Sequence, residues 1–501
     1  MPFLHLDHRS RFNAAMEKAA PIILCWVAGI TLGISYLAMS AVYFWGLLIF
    51  FLLVVVIFRN YRLGYYITLL LVPVDMTQLS VILPDISTYH VLYFPYYAPL
   101  IITLAAWLFS KLETREPRGR TTPVNGILLF MVTYMIVSLL WAPHFDLGSH
   151  LAVSLLLNFF LYLLSRDVII DESTLKRAAA VWIFMGMITA TGVIVSQWET
   201  YKWTDKLSRA VTIVVNFGEI TNRPSGFGST NNMGGLLVTS IFLTIGMFMV
   251  SKTFAKKFFL FLIGSYQLVA MIVTASRGSL IGFIGGLVLL ISIHPSNQNK
   301  FVKYSFLSFF LLFVIILVAK PSYIDRILVG FGYSGELYFS DVQQSSISST
   351  SSSSTDTTGL AYRKKIWKKA FKEMVNRPYK LVLGLGIGGF ITYSEAIYTH
   401  SVPFSFFFDM GLAGALLFIF LALILFNNFR YYLKRAKHTE AYYLFWAAVV
   451  ALVAEVGVHG IIDYDFYSYT ARMFWLPMAF SVAALNVMMS ENPELWGDQH
   501  R

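Results

Sequence analysis

One histidine and two arginines stand at the edges of strongly apolar segments, where charged side chains are scarce. His400 precedes an apolar run that begins near Val402, Arg277 separates two such runs, and Arg223 lies in a turn-rich stretch with Pro224. Histidine titrates nearest to neutral pH and suits a general base, whereas guanidinium groups bind phosphates through paired hydrogen bonds. These three residues predict a reaction that removes a proton and stabilises an anionic leaving group.

Three further residues near His400 are candidates for substrate binding. Ser401 follows the histidine directly, Gly386 lies in the glycine-rich stretch LGLGIGGF, and Arg363 opens a basic segment. The glycines lack the lysine and hydroxyl residue of a phosphate-binding loop, so a tight turn beneath the histidine is an alternative. Ordinary alternatives also exist for the charged residues, namely a histidine that caps a helix and arginines that face solvent or lipid headgroups.

Asp463 is the remaining candidate, as the first acid of the stretch Asp463-Tyr464-Asp465. Two carboxylates at this spacing could hold a divalent ion, since hard cations prefer oxygen ligands. Asp463 could instead orient one of the site arginines. Because arginines already supply the positive charge, we expect a site without a metal.

The composition identifies the class of protein that holds these residues. Of 501 residues, 57% are hydrophobic and 13% are charged, and the chain contains 28 Tyr, 43 Phe and 11 Trp. This is far too apolar for a soluble domain. The single cysteine, Cys25, excludes an intrachain disulfide. We therefore predict an all-α polytopic membrane protein.

Apolar windows of about 20 residues, the length that crosses ~30 Å of hydrocarbon, recur along the chain. We predict about 12–14 transmembrane helices on this basis, in a bundle at 1–196 and a membrane domain at 197–490, followed by a cytoplasmic tail at 491–501. The first run lacks a small-residue cleavage site and is expected to be an anchor, not a signal peptide. The predicted spans lie near residues 20–38, 41–58, 64–83, 91–110, 126–142, 149–165, 178–196, 233–251, 258–275, 278–293, 304–319, 403–427, 441–460 and 471–488.

Basic residues indicate how the chain is oriented. They concentrate in loops on one side, whereas the short loops on the other side contain only Arg277 and Arg472. Loops rich in lysine and arginine tend to stay in the cytoplasm. We therefore expect both termini in the cytoplasm and His400, with its arginines, on the outer face.

Two long outer loops are predicted, at 197–232 and 320–402. The second contains a Ser/Thr-rich run at 343–359 that has too little apolar surface to fold alone and is expected to be a lid or spacer. It continues with an amphipathic helix at 362–380, in which Ile366, Ala370 and Met374 recur at helical spacing beside a lysine-rich face. This helix either lies on the membrane against anionic headgroups or brings Arg363 to an anionic substrate.

The spacing after His400 is specific enough to suggest a family. His400-Ser401 is followed by nine residues, then by Gly411, two residues, Gly414 and finally Phe418. This resembles the O-antigen ligase and polysaccharide polymerase superfamily, whose members carry His-Ser/Asn/Gln, nine residues and a Gly-x-x-Gly-x-x-x-Trp run. Phe418 stands where the family usually has Trp. The stretches NRPSGFGSTNNMGG, TASRGSLIG and YRKKIWKKAFKEM also fit, so that the resemblance covers roughly residues 220–490.

The resemblance implies a glycan transferase of the bacterial cytoplasmic membrane, with its site on the outer face. The donor would be a glycan on polyprenyl (undecaprenyl) diphosphate, and the acceptor a sugar hydroxyl of another glycan or a glycolipid. His400 would be the base, and Arg223 and Arg277 would neutralise the leaving diphosphate. Direct attack would invert the anomeric centre. Membrane lipids are expected partners, whereas nucleic acid and soluble cofactors are not.

Two questions about function stay open at the level of sequence. The family divides into polymerases of surface polysaccharides and ligases that transfer glycan to a lipid core; related proteins glycosylate polypeptides. The length of the chain and its Ser-rich outer loop favour a polymerase. A transporter or flippase of lipid-linked sugars would also be polytopic and basic, but we find no internal repeat of the kind that transporters often show. The sequence therefore favours an enzyme.

Overall fold

The computed structural model describes residues 41–74, 97–114, 123–198, 229–274, 276–292, 360–394, 396, 399–436, 439–467 and 470–494. Arg223, Cys25, the Ser/Thr-rich run and the apolar runs near 20–38 and 304–319 lie outside these residues. All regular elements in the described ranges are helices: apart from a 3-10 turn (Ser138–Leu140) and a π-helical segment (Val453–His459), they are α-helices. In chain order they are α1 (Ala41–Arg59), α2 (Tyr61–Leu71), α3 (Tyr97–Thr114), α4 (Pro123–Val137), α5 (Phe145–Val168), α6 (Glu172–Trp198), α7 (Thr230–Val250), α8 (Phe254–Val273), α9 (Arg277–Ser292), α10 (Leu360–Asn376), α11 (Tyr379–Leu383), α12 (Gly389–Ser394), α13 (Val402–Arg435), α14 (Glu440–Leu452), α15 (Gly460–Ile462) and α16 (Arg472–Glu491).

Seven helical units in the described ranges are long and apolar enough to cross a membrane. They are α5, α6, α7, α8, α13, the continuous unit Glu440–Ile462 and α16. Shorter apolar helices within α1, α3, α4 and α9 accompany them. α9 has 16 residues and rises only about 24 Å, less than the thickness of the hydrocarbon layer. The predicted all-α polytopic class is confirmed.

Helix α7 lies at the centre of this bundle. It is buried along nearly its whole length and packs against α6, α8, α9 and α14. Small residues permit the close approach, because a side chain at Gly246 would press against Ala447 of α14. The first turn of α7, which carries Asn231, is thereby fixed at one end of the bundle.

Polar contacts hold the opposite end of the bundle together. Glu440, at the start of α14, accepts from Lys176 of α6 and from Lys252, whose Nζ lies 3.2 Å from the carboxylate. Thr439 donates to Glu491 of α16 over 2.8 Å. These contacts fix the direction of the helices, so that α7, α9, α13 and α16 begin, and α15 ends, at the other end.

Helix α13 is broken near its start, at Gly411. That residue has φ 67° and ψ −154°, a backbone conformation that glycine adopts readily and other residues rarely adopt. The break removes the usual helical partners of two carbonyls, and the glycine-rich turn supplies new ones: Leu385 N–H donates to Phe408 O over 2.7 Å and Gly386 N–H to Asp409 O over 3.1 Å. The sequence predicted an uninterrupted span here. The turn and the break instead form one structural unit.

The other two positions of the family spacing also support this unit. A side chain at Gly414 would overlap with the carbonyl of Phe406, so only glycine fits there. Phe418 packs its ring 5.2 Å from that of Phe406 and lines an apolar cavity of about 640 Å³. The spacing Gly-x-x-Gly-x-x-x-Phe therefore fixes the first segment of α13, which follows the candidate base directly.

Helix α10 forms where the amphipathic pattern predicted a helix. However, its apolar stripe of Ile366, Ala370 and Met374 is buried against the protein and packs with Leu385, Phe390 and Phe408. This stripe therefore packs against the protein and not against lipid. A position of the helix at the membrane surface stays a prediction. The periodicity identified the apolar face correctly but not the surface that covers it.

Candidate active site

His400 is held between α12 and α13 in a left-handed conformation, with φ 55°. This conformation is uncommon for a residue other than glycine. The residues on either side hold it: Ser401 caps the start of α13, and the carbonyl of Thr399 accepts a 2.7 Å hydrogen bond from the Trp367 indole of α10. The imidazole remains 21% exposed. It is accessible from outside the bundle while its backbone is fixed.

The imidazole of His400 is paired with Asp463. Its Nδ1 lies 3.2 Å from Oδ1 of that carboxylate, which also accepts from the N–H of Tyr464. The other carboxylate oxygen accepts from the side-chain amide of Asn231. With Nδ1 directed at a carboxylate, Nε2 is the ring nitrogen that is suited to take a proton.

Asp463 is buried yet ionised. Burial alone would raise its pKa, but the hydrogen bond and charge of His400, together with His459 and Arg363, hold that pKa below its ordinary range. The carboxylate therefore stays negative and can stabilise an imidazolium when His400 gains a proton. The sequence offered Asp463 as a partner for an arginine, and that role stays a prediction; the structure adds the contact with the histidine.

Arg277 and Arg363 lie close to each other beside this pair. Arg277 is the first residue of α9, and burial together with repulsion from Arg363 lowers the pKa of its guanidinium. Arg363 also contributes to the low pKa of Asp463. Two guanidinium groups near one partly exposed histidine form a region that favours an anion.

A chain of hydrogen bonds connects the start of α9 with Asp463. Ser276, which precedes Arg277, donates to the side chain of Asn231 over 3.1 Å. Ser279 donates in turn to Ser276 over 2.9 Å. The residues that position Arg277 are therefore coupled through Asn231 to the carboxylate that positions His400. The role of Asn231 could not be predicted from sequence, because this residue lies in a run of ordinary small and polar residues.

The site continues inward into a buried polar cluster around Glu455 and His459, which were not predicted as site residues. His459 Nδ1 lies 3.3 Å from the Glu455 carboxylate and 3.0 Å from the hydroxyl of Tyr464. That hydroxyl donates to the Asn231 carbonyl over 2.8 Å, and His459 Nε2 lies 4.0 Å from Asp463 Oδ2. A signal was present, because Glu455, His459 and Asp463 are spaced four residues apart in an otherwise apolar stretch.

Two features of the backbone make room for this cluster. Glu455 and His459 lie on a π-helical segment (Val453–His459), an element that is rare and frequent at functional sites. Side chains at Gly235 of α7 and Gly278 of α9 would overlap with Glu455 and His459 respectively. The close packing of three helices therefore depends on glycine at these two positions.

Of the three other sequence candidates, the structure describes Gly386 and Ser401. Gly386 is buried against Ser138 and Ala142, and its N–H is used by the broken helix, as described above; a role in substrate binding stays a prediction. Ser401 is buried as a helix cap, and its role toward substrate is likewise a prediction. Arg223 lies outside the described residues.

The two acids of the Asp463-Tyr464-Asp465 stretch make separate contacts. Asp465 accepts from the Thr470 hydroxyl over 3.2 Å and from the N–H of Tyr467 over 3.3 Å, so it closes its own loop. Within the described ranges, no three His, Cys, Asp or Glu side chains are placed to share a metal ion. Asp409, a buried acid of α13, accepts a hydrogen bond from the hydroxyl of Tyr467 over 2.7 Å.

Comparison with known proteins supports the family resemblance for part of the chain. The model of the O-antigen ligase family matches residues 258–419, a segment that includes Arg277, Arg363 and His400. Asn231 and Asp463 lie outside the matched segment. No curated protein matches the chain. The match at 258–419 covers about a third of the chain and supports its resemblance to the O-antigen ligase and polysaccharide polymerase superfamily.

Proposed function

We propose that this protein transfers a glycan from a polyprenyl diphosphate to a sugar hydroxyl at the outer face of the bacterial cytoplasmic membrane. The observation that carries the proposal is the pairing of partly exposed His400 with buried Asp463 beside Arg277 and Arg363. A base, its orienting carboxylate and two guanidinium groups are the parts that such a transfer requires. The family match supports the reaction class.

In the proposed reaction, Nε2 of His400 takes the proton of the acceptor hydroxyl as its oxygen attacks the anomeric carbon. The bond from that carbon to the diphosphate oxygen breaks, and the electron pair leaves with the diphosphate. Asp463 stabilises the imidazolium that forms. Attack from the face opposite the leaving group inverts the anomeric centre.

The arginines act on the leaving group. A diphosphate departs as an anion and needs no general acid, so the site must supply positive charge in a fixed geometry. Guanidinium groups do this with paired hydrogen bonds to phosphate oxygens. Arg277 and Arg363 are placed for that task, and Arg223 is proposed to join them on the strength of the family pattern. Neither a metal nor a soluble cofactor is required by this scheme.

The outer face is supported by the distribution of charge. Lys176 and Lys252 lie at the end of the bundle opposite His400, together with the basic end of α13 that includes Arg435. Positive residues favour the cytoplasm. On that basis the site opens outward, where nucleotide sugars are absent and lipid-linked donors are presented.

The acceptor distinguishes a polymerase from a ligase. We propose the polymerase of a surface polysaccharide, with transfer to a lipid core as the alternative. The test is transfer by the purified full chain from a polyprenyl-diphosphate oligosaccharide, with and without EDTA, comparing the native protein with His400→Ala. We expect EDTA-resistant transfer that the variant loses, and a ladder of product sizes for a polymerase.

Each other outcome has a definite meaning. Transfer retained by His400→Ala would refute this histidine as the base. Transfer abolished by EDTA and restored by a divalent ion would refute the metal-free scheme. Specific donor binding without transfer to any acceptor would replace the enzyme with a transporter.

A further inference from the structure

Helix α10 has two chemically different faces. Arg363 and the buried residues Ile366, Ala370 and Met374 lie on the side turned toward the protein. The opposite side carries exposed lysines. We call these residues the lysine face: Lys364, Lys365, Lys368, Lys369 and Lys372. Since Arg363 influences both Arg277 and Asp463, the lysine face is turned away from the candidate active site.

An exposed apolar edge borders the lysine face. Phe371 is 47% exposed and Val375, one turn later, is 50% exposed. Helical spacing places both beside Lys364 and Lys368, and the edge continues after the helix with exposed Val382. Exposed apolar side chains flanked by lysines are typical of a helix that lies at a membrane surface, with the ammonium groups directed toward the headgroups.

The edge is continuous with the exposed apolar surface of α13, a helix long and apolar enough to cross a membrane. The Phe371 ring stacks on that of Phe407, with centroids 6.5 Å apart, and Trp367 packs 4.5 Å from Phe404. Phe404 is itself exposed. Below it, α13 presents a row of exposed apolar residues: Leu412, Leu416, Ile419, Phe420, Leu423 and Phe426. α10 therefore packs against the start of a helix whose exposed apolar surface is suited to face lipid.

We propose that the lysine face and its apolar edge bind anionic phospholipid headgroups in the leaflet on the site's side of the membrane. Phe371 and Val375 would insert at the boundary between headgroups and acyl chains, and the lysines would contact the phosphates. An acidic glycan would also attract lysines, but it does not explain an apolar edge that joins the lipid-facing surface of α13.

This docking reaches the candidate base through one hydrogen bond. Trp367 of α10 donates to the carbonyl of Thr399, the residue before His400. Arg363 is carried on the same helix. Lipid that fixes α10 therefore fixes both His400 and Arg363. The importance of this effect for transfer rests on the proposed function, whereas the binding of lipid does not depend on it.

The test uses the full chain in lipid nanodiscs of phosphatidylcholine, with or without phosphatidylglycerol. Hydrogen–deuterium exchange of peptides from 362–383 reports the state of α10. We expect phosphatidylglycerol to slow exchange in this segment several-fold in the native protein. The effect should disappear in K364Q/K368Q/K372Q and in F371S, whose altered residues are exposed and leave the buried stripe intact.

Matched controls separate this surface from general charge effects. The triple variant K256Q/K257Q/K434Q changes lysines at the other end of the bundle and should keep the protection of 362–383 by phosphatidylglycerol. His400→Ala should also keep it while losing transfer, so that failure of the proposed function and failure of lipid docking give different results.

Two results would overturn the proposal. One is exchange in 362–383 that does not respond to phosphatidylglycerol in the native protein, or that responds equally in K364Q/K368Q/K372Q. The other is protection by a soluble acidic polysaccharide in pure phosphatidylcholine discs together with none from phosphatidylglycerol, which would identify the lysine face as a glycan site.

Discussion

His400 Nδ1 lies 3.2 Å from Oδ1 of Asp463, although 62 residues separate the two in the chain. The histidine comes from the segment that matches the O-antigen ligase family, whereas the carboxylate comes from the loop after α15, beyond that segment. The candidate base is thus oriented by a residue outside the matched domain. Four predictions follow from this arrangement and its surroundings.

Asp463→Asn should reduce glycan transfer about a hundredfold or more, because the amide cannot stabilise an imidazolium. The effect should fall on kcat, with KM little changed, since Asp463 is buried behind the histidine. Steady-state kinetics with a lipid-linked donor measure this. Asp146→Asn, an exposed acid at the start of α5, is the control. A variant with native kcat would contradict the role of Asp463.

The ionisation of Asp463 should also make the stability of the native protein depend on pH, and Asp463→Asn tests this. The pKa of Asp463 is lower in the folded protein than in the unfolded chain. The ionised carboxylate therefore stabilises the fold at pH values above the unfolded-state pKa. This contribution is lost as pH falls through the folded-state pKa. At neutral pH, Asp463→Asn should lower the free energy of unfolding by about 2 kcal/mol. The difference from the native protein should shrink below about pH 4. Tryptophan-fluorescence melts measure it, and a difference that grows on acidification would refute the assignment.

Arg277→Lys should lower transfer by about tenfold to a hundredfold, even though the positive charge is kept. Lysine is a point charge and lacks the two-pronged geometry with which guanidinium binds a diphosphate. Arg430→Lys, at the exposed opposite end of α13, is the matched control and should behave as the native protein. Full activity of Arg277→Lys would reduce Arg277 to a membrane anchor.

Gly278→Ala should disturb the buried cluster, because the added methyl group would overlap with the His459 ring. We expect destabilisation of about 1–3 kcal/mol, together with slower transfer, as His459 is displaced from Asp463. Gly126→Ala is the control, since a methyl group there meets no atom within 4 Å. That variant should be neutral or gain about 0.5–1 kcal/mol. Equal melting temperatures for the two variants would argue against tight packing at Gly278.

The sequence predicted the helices well and their partners less well. Apolar windows located α5, α6, α7, α8, α13 and α16 because a membrane-crossing helix needs an uninterrupted apolar run. The break at Gly411 was missed, since a glycine inside such a run is compatible with a straight helix. Its consequence depends on a turn 25 residues earlier, at Gly386, that takes up the released carbonyls.

For the candidate site as well, the sequence predicted the residues better than the contacts between them. The spacing after His400 identified the histidine, and charge placed Arg277 and Arg363 at one end of the bundle. Asp463 was named, but its partner depends on how α13 and α15 meet, which local sequence does not encode. Glu455 and His459 could have been predicted as neighbours from sequence, because polar residues four apart on an apolar helix lie on one buried face.

The break at Gly411 has a mechanical consequence for the enzyme proposed here. α13 contains 34 residues and would measure about 51 Å if straight, well beyond the hydrocarbon thickness of a bilayer. Beyond the break, the helix is free to tilt as bilayers become thinner or thicker. Its first segment is fastened to the glycine-rich turn instead. We therefore expect the position of His400 to be insulated from membrane thickness, so that growth temperature and lipid chain length alter the tilt of α13 without altering the geometry of transfer.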